Sequence, residues 1–331
     1  MKGKSQLRRD LVSGDWIIIA PGRAKRPHSI IEKNKKRKRL GKSSCPFESP
    51  QKYGHKEPYI QYDENGDWAI QVIENKYPAL KHEGICPIIT NKGPYKIADA
   101  VGHHDLIVTR DHDDNFPMLS KARARQLFEV FRDRYLMHLN DECIDYVSMF
   151  HNWGPKAGAS IYHPHYQIMA IPVIPPDINH SLRGSARYFK KNKGKCVHCT
   201  MIAFERKNKK RILYENKGAI AFAPFVSKEP FELRVFPKNH LPYFENTLDV
   251  DLDYVVDALR VVLKKVKKNL KDPDYNFFIH TSPIKDKKDY KHYHWHVEVI
   301  PKFSISAGFE LSTGVEINVI DPDEAIRFLK K

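Results

Sequence analysis

The segment HNWGPKAGASIYHPHYQ, residues 151–167, joins a glycine-containing loop to two histidines and an amide side chain. Its end alternates like a β-strand, so His163, His165 and Gln167 are predicted to share one face. Neutral imidazole is nucleophilic near neutral pH. Backbone and hydroxyl donors for an anion are predicted at Gly154, Gly158 and Ser160. The cluster predicts chemistry at a phosphate; the alternative is a buried strand with incidental histidines.

Residues typical of metal coordination lie in the second half of the chain. Thiolates and imidazoles bind zinc tetrahedrally, and a CxxC pair supplies two ligands from one turn. The motifs CVHC, PKNH and HYHWH follow one another in that order. They predict a structural zinc site formed by Cys196, Cys199, His240 and His294, with His292 as the rival fourth ligand. A reduced cysteine pair without metal is the alternative.

The first half contains the same order of features with one difference. Cys45 in CPFE is followed by His112 and His163, but Glu48 stands where a second cysteine is expected. Because carboxylate also ligates zinc, a weaker site of these four residues and no site at all are both open. If His163 is a ligand or an anchor, His165 remains available to act on substrate.

The repeated order indicates an internal duplication. Apolar residues at three- and four-residue intervals predict helices over 119–139 and 248–270, each between strands. This pattern favours an α+β fold of tandem units, each an antiparallel sheet with helices packed on one face. We predict units at 1–178 and 195–331, connected by 179–194. In the second unit Glu298 replaces the glutamine of the first, so only the first is predicted to be catalytic.

Composition narrows the class of protein. The 331 residues are 41% hydrophobic, enough for a substantial core. The net charge of +16 is spread over separate basic runs without interleaved aromatics, which argues against nucleic acid as the main partner and favours a small anionic substrate. No run approaches the roughly 20 apolar residues of a membrane span, and the N-terminal residues lack the apolar core of a signal peptide, so a cytoplasmic protein is predicted. Five sparse cysteines are expected to be reduced: Cys45, Cys86, Cys143, Cys196 and Cys199.

Together these motifs resemble galactose-1-phosphate uridylyltransferase and its relatives in the histidine-triad superfamily. The resemblance spans nearly the whole chain, from RRDLVSGDWIIIAPGRAKRP through CPFE, ENKYPAL, GHHDLIVTRDH, NWGPKAGASIYHPHYQ, CVHC and HWHVEVIP to AGFELSTGVEIN. It implies histidine-triad-like units and a double displacement in which His165 attacks the α-phosphorus of a nucleotide sugar. A covalent nucleotidyl-histidine would form, and hexose 1-phosphate would be the second acceptor. Gln167 would hydrogen-bond the α-phosphoryl oxygen.

The same resemblance implies further contacts and partners. Nucleotide and diphosphate contacts are implied for Arg23, Arg26, Asn75, Asn152, Gly158 and Ser160, and hexose contacts for Phe309 and Glu310. His280 stands where some members have a metal-ligating histidine. Zinc is the implied cofactor, and a homodimer is implied because relatives commonly form dimers.

Two departures from the family pattern leave the reaction open. CPFE replaces CPxC, and no basic residue stands just before AGFEL. The leading prediction is uridylyl transfer between UDP-glucose and galactose 1-phosphate. The first alternative is an ADP-glucose phosphorylase, which would use His165 with an adenylyl group and phosphate. The second is a non-enzymatic basic zinc protein that binds RNA or nucleotides.

Overall fold

The computed structural model describes residues 4–23, 37, 39–285, 287–303 and 307–331. Within them the strands are β1 (Gln6–Arg9), β2 (Trp16–Ile19), β3 (Ile60–Glu64), β4 (Asp67–Glu74), β5 (Thr90–Lys92), β6 (Tyr95–Ile97), β7 (His103–Thr109), β8 (Tyr146–Trp153), β9 (His165–Ile171), β10 (Ile212–Glu215), β11 (Ala219–Phe222), β12 (Leu233–Pro237), β13 (Tyr275–His280), β14 (His296–Pro301) and β15 (Ile317–Asn318). The helices are α1 (Lys121–His138), α2 (Pro176–Lys191), α3 (Val197–Asn208), α4 (Asp249–Asn269), α5 (Gly308–Thr313) and α6 (Pro322–Leu329).

Strands from both halves of the chain form one ten-stranded sheet. Its order is β10-β11-β12-β14-β13-β8-β9-β7-β4-β3, and every neighbouring pair is antiparallel. The central pair is β8 with β13, where Phe277 lies opposite His151. Outward from this pair, the two halves arrange their strands alike, with β8-β9-β7-β4-β3 on one side and β13-β14-β12-β11-β10 on the other. The prediction of an α+β fold with a large antiparallel sheet is confirmed.

Helices α1 and α4 cover one face of this sheet and pack against each other. Both begin and end within two residues of the predicted bounds. Apolar side chains of α1, α4 and alternate strand positions form the main core, which includes Phe131, Leu259, Tyr166, Ile168 and Val297. Tyr166 and Ile168 therefore point away from the face that His165 and Gln167 share.

The predicted connection between the units is mostly helical, because α2 occupies it. A small sheet, β1-β2-β15, brings the first strands of the chain beside one of the last. The division into 1–178 and 195–331 stays a prediction, since strands of both segments share one sheet. No helix among the described residues is long and apolar enough to cross a membrane.

One expectation about the cysteines is wrong. Cys86 and Cys143 form a disulfide, with their Cα atoms 4.9 Å apart. They stand 57 residues apart in the chain, so only the folded arrangement reveals that they meet. The other three, Cys45, Cys196 and Cys199, are free thiols.

Gly154 makes the turn that leads from β8 into the loop before His165. Its φ is +85°, and a Cβ atom there would lie 2.2 Å from Asp274 Oδ1. The other carboxylate oxygen of Asp274 accepts a hydrogen bond from the Lys156 backbone N–H at 2.8 Å. A side chain at this position would therefore strain the backbone and displace the carboxylate that holds the loop.

We predict that Gly154→Ala lowers the free energy of unfolding by about 1–3 kcal/mol, the usual cost of a strained backbone conformation. Urea denaturation would measure the change. Gly22→Ala is the matched control, because its Cβ would meet no atom within 4 Å. Equal stability of the two variants would contradict the assigned role of Gly154.

Candidate active site and metal centres

His165 begins β9 and lies on the sheet face opposite the helices. It is 6% exposed, and its Nδ1 atom lies 2.9 Å from the carbonyl oxygen of His163. Because a carbonyl only accepts, Nδ1 carries the proton and Nε2 has a free lone pair. Burial lowers the pKa of His165, outweighing the opposite effect of this hydrogen bond. The imidazole is therefore neutral and nucleophilic at neutral pH.

A pocket of about 460 Å³ contains His165 at its wall. Phe47 from the CPFE motif lies edge-on to the His165 ring, with ring centroids 5.1 Å apart. The lining residues are Pro46, Phe47, Tyr53, His55, Asn75, Lys76, Tyr77, Leu106, Gly158, Ser160, Ile161, His165 and Gln167. Five predicted residues thus meet in one pocket, namely His165, Gln167, Asn75, Gly158 and Ser160. The pocket is large enough for part of a nucleotide sugar.

Sequence reasoning missed His104, which orients Gln167. The Ala79 backbone N–H donates to His104 Nδ1 at 3.2 Å, so the neutral ring carries its proton on Nε2. His104 Nε2 lies 2.9 Å from Gln167 Oε1, and its N–H donates to that oxygen. The Gln167 amide is thereby held with its oxygen engaged and its NH₂ group available. The alternation of β7 places His104 on the pocket side, a signal visible in GHHDLIVTRDH.

The loop between β8 and His165 is held by its own backbone. The Gly158 N–H donates to Pro155 O at 3.1 Å, so the expectation that this amide is free to bind an anion is wrong. Gly158 instead supplies a left-handed turn with φ of +88°. Asn152 lies behind the loop, where its Oδ1 accepts from Asn276 Nδ2 at 2.7 Å, and it does not line the pocket.

The first predicted metal group comes together around His163. Cys45 Sγ lies 3.5 Å from His163 Nδ1, and Glu48 Oε1 lies 2.8 Å from His112 Nδ1 and 3.7 Å from His163 Nδ1. Both rings turn Nε2 to backbone carbonyls, at Leu40 for His112 and Thr109 for His163. Such bonds fix a histidine with its other nitrogen free for a metal.

The second predicted group is assembled in the same way. Cys199 Sγ lies 3.4 Å from His240 Nδ1 and 3.5 Å from His294 Nδ1, and donor atoms of all four residues lie within 4.8 Å of one another. Hydrogen bonding with Cys199 and the two histidines lowers the pKa of Cys196, which favours the thiolate that a metal requires. His292 is outside this group, and its Nε2 lies 3.1 Å from Leu182 O.

The second half contains a counterpart of His165 whose Nε2 atom faces a carboxylate. His296 Nδ1 lies 3.1 Å from His294 O, which matches the contact between His165 Nδ1 and His163 O. The Nε2 atom of His296, however, lies 3.5 Å from Glu298 Oε1. Glu298 is also paired with Arg234 and lies 3.5 Å from His280. The residue that replaces the glutamine thus engages the second imidazole. This arrangement supports the prediction of a single catalytic centre, which includes neither His296 nor His280.

Besides Asn152, the predicted substrate contacts Arg23, Phe309 and Glu310 do not line this pocket. Arg23 is exposed after β2, and Arg26 lies outside the described residues. Phe309 and Glu310 are on α5, which leads into β15 of the small sheet, and neither lines the His165 pocket. Phe309 is 45% exposed.

Comparison with known proteins places the chain in a family. The family model described as "Domain of unknown function (DUF4921)" matches residues 43–329. ADP-glucose phosphorylase of Arabidopsis thaliana is 32% identical over 98% of this chain and 92% of its own length. The chain belongs to this galactose-1-phosphate uridylyltransferase-like family. A galactose-1-phosphate uridylyltransferase of Thermotoga maritima is 27% identical over 98% of both chains.

Solved structures agree with the sequence relatives. The crystal structure of the Arabidopsis thaliana ADP-glucose phosphorylase with bound ADP-glucose has a TM-score of 0.83 at 29% identity, and the match covers 99% of each chain. A uridylyltransferase structure has a TM-score of 0.74 at 25% identity, covering 98% of this chain and 97% of that one. The protein is therefore an enzyme of the nucleotidyltransferase type.

We predict that Cys199→Ser removes about one equivalent of bound metal per chain and lowers the melting temperature, because binding of a structural metal is coupled to folding. Elemental analysis and thermal unfolding would measure both effects. His292→Ala is the control, since that residue lies outside the group and should leave the metal content unchanged. Unchanged metal content in Cys199→Ser would refute the second site.

Proposed function

We propose that this protein transfers a nucleotidyl group from a nucleoside diphosphate sugar through a covalent adduct on His165. The observation that carries the proposal is the hydrogen bond from His165 Nδ1 to the His163 carbonyl, which leaves Nε2 unprotonated at the pocket wall. Because burial lowers the pKa of His165, its imidazole is neutral at neutral pH. Gln167 lines the same pocket, and its NH₂ group would be the donor to the α-phosphoryl group.

The reaction has two similar steps. The Nε2 lone pair of His165 forms a bond to the α-phosphorus, and the bond from that phosphorus to the bridging oxygen breaks, releasing the sugar 1-phosphate. An oxygen of the acceptor phosphate then attacks the same phosphorus, and the P–N bond breaks to regenerate the imidazole. Dividing the exchange in this way replaces one difficult displacement by two easier ones. The NH₂ group of Gln167 would stabilise the charge that develops on the phosphoryl oxygens.

We propose ADP-glucose as the donor and inorganic phosphate as the acceptor. The Arabidopsis thaliana ADP-glucose phosphorylase is 32% identical to this chain, and its structure has a TM-score of 0.83. The Thermotoga maritima uridylyltransferase is 27% identical to this chain, and a uridylyltransferase structure has a TM-score of 0.74. Uridylyl transfer from UDP-glucose to galactose 1-phosphate is the second candidate, supported by relatives that match almost the full chain.

We further propose that both metal groups bind zinc. Two thiolates and two imidazoles suit a closed tetrahedral zinc site in the second half. In the first half Glu48 takes the place of one thiolate, and its Oε1 faces both histidines. His163 is the link to the reaction, because its ring faces the first metal group and its carbonyl holds His165. Zinc at this group would fix the residue that orients the nucleophile.

The implied homodimer and the hexose contacts of Phe309 and Glu310 also remain proposals. Because α5 does not line the His165 pocket of its own chain, these side chains would have to reach the hexose from a second copy. The exposure of Phe309 and of Leu311, at 45% and 77%, leaves this surface accessible to such a copy.

We predict that wild-type protein mixed with ADP-glucose and no acceptor gains the mass of an adenylyl group, whereas His165→Ala gains none. Intact mass spectrometry would detect the adduct. His296→Ala is the matched control, because the same backbone hydrogen bond holds its imidazole but its Nε2 faces Glu298. Folded His296→Ala should form the adduct.

Each outcome of that experiment distinguishes the candidates. An adenylyl adduct that labelled phosphate converts to ADP supports the phosphorylase. A uridylyl adduct from UDP-glucose, without an adenylyl adduct from ADP-glucose, would favour uridylyl transfer over the phosphorylase reaction. An adduct on folded His165→Ala, or no adduct with either donor, would overturn the covalent mechanism.

We predict that Gln167→Ala lowers kcat by about 100-fold, as loss of a donor to a transition-state oxyanion does, with a smaller change in KM. His104→Ala should lower kcat through loss of Gln167 orientation. Because His104 would act on the chemical step through Gln167, kcat of the double variant should be no lower than that of Gln167→Ala alone, whereas the 3.1 Å contact of His104 with Asn75 would affect KM. Additive losses in the steady-state kinetics would contradict the positioning role of His104.

A further inference from the structure

A third group of metal-ligating side chains lies outside the two groups already described. We propose that His82, His103 and Asp141 bind a divalent transition-metal ion that fastens the segment 81–101 to the body of the protein. This site would be separate from the reaction, because its residues do not line the His165 pocket.

The three side chains converge closely. His103 Nε2 lies 2.9 Å from Asp141 Oδ2, and His82 Nε2 lies 3.4 Å from the same oxygen. One donor atom from each residue lies within 4.8 Å of the other two. The two rings are nearly parallel, with centroids 4.9 Å apart. These separations allow a single ion to contact all three donors.

The donor set indicates the kind of ion. Two imidazoles and one carboxylate suit zinc and other first-row divalent ions, whereas magnesium and calcium favour oxygen ligands. The side chains of His82, His103 and Asp141 are 19%, 27% and 17% exposed. The group therefore lies near the surface, and water can complete the coordination of the ion.

Two hydrogen bonds must be exchanged when the ion binds. The first joins His103 Nε2 to Asp141 Oδ2 at 2.9 Å, and the ion would take the place of its proton. The second involves His82. The Gly84 N–H donates to His82 Nδ1 at 3.1 Å, which leaves the proton of neutral His82 on Nε2. Nε2 is shielded from water, but it makes no well-directed hydrogen bond with any described residue. A metal on Nε2 requires the proton to move to Nδ1, and the Gly84 amide must then turn to water. Gly84 is exposed and a Cβ there would meet no atom within 4 Å, so the turn has room to adjust.

The disulfide joins the same parts of the chain as the proposed ion. Cys86 follows His82 in one loop, and Cys143 follows Asp141 in the turn after α1. The Cys143 backbone N–H donates to Asp141 Oδ1 at 2.9 Å, which orients the carboxylate. Because the covalent link already holds the two segments together, the ion has less chain entropy to overcome on binding.

The location connects this group to the pocket through the backbone. His103 precedes His104 on β7, and His104 points to the opposite side, towards Gln167. The fastened segment begins shortly after Lys76 and Tyr77, which line the pocket. An ion at this group would therefore stabilise the chain that continues from the pocket wall.

The test compares metal binding by the full chain and by single variants. Apo protein would be saturated with Zn²⁺ and dialysed, and bound zinc counted by elemental analysis. Asp141→Asn and His82→Gln should each bind about one equivalent less than wild type. Their affinity for that equivalent should fall by at least about 100-fold, since even residues behind metal ligands change affinity by 10- to 100-fold. His180→Gln is the control, because it removes an exposed histidine that belongs to none of the metal groups found among the described residues.

Two further measurements complete the test. Co²⁺ at this group should give visible absorption without thiolate charge transfer, and Asp141→Asn should lose that component. Cys86→Ser should weaken binding of the same equivalent without changing the zinc count at saturation; equal affinity would overturn the role of the disulfide. Equal zinc content and equal cobalt spectra for wild type, Asp141→Asn and His82→Gln, with all three folded by circular dichroism, would overturn the proposal.

Discussion

The pairing of β8 with β13 is the interaction on which the rest of the structure depends. It joins the strands of both halves into one sheet, and α1 and α4 then cover one face of that sheet. Strand alternation sends apolar residues to the helix face and polar residues to the other. Imidazoles, thiols and carboxylates from distant parts of the chain therefore gather on the face that the helices leave open. The active site and its supporting groups follow from this division.

A second constraint explains why similar halves have different chemistry. In each half the second histidine of the HxH motif uses Nδ1 to bond the carbonyl of the first, so its Nε2 points outwards. In the first half Nε2 meets a pocket that contains Gln167. In the second half it meets Glu298, whose charge is stabilised by Arg234. A carboxylate in place of an amide thus engages the His296 imidazole, whereas the His165 imidazole faces the pocket.

The arrangement around His163 connects the first predicted metal group with the His165 side chain. Its Nε2 is hydrogen-bonded to the Thr109 carbonyl, its Nδ1 faces Cys45, and its carbonyl accepts a hydrogen bond from His165 Nδ1. Burial lowers the pKa of His163 to about 4, so the ring is neutral, as a metal ligand must be. Displacement of this one residue would alter both the first predicted metal group and the position of the His165 imidazole. The order CPFE, TRDH and HPH is thus explained by a single cluster.

Local pattern was sufficient to predict the two long helices, the alternation at His165 and Gln167, and the order of the metal-ligating motifs, because these depend on periodicity and on spacing within a segment. Periodicity does not specify which distant residues meet. The Cys86–Cys143 disulfide, the hydrogen bond from His104 to Gln167, and the separation of Phe309 and Glu310 from His165 all depend on packing between remote segments. By itself the sequence determined the kinds of side chain available for phosphoryl chemistry and metal binding. Only the tertiary structure decided which of them face one another, because long-range strand pairing brings them together.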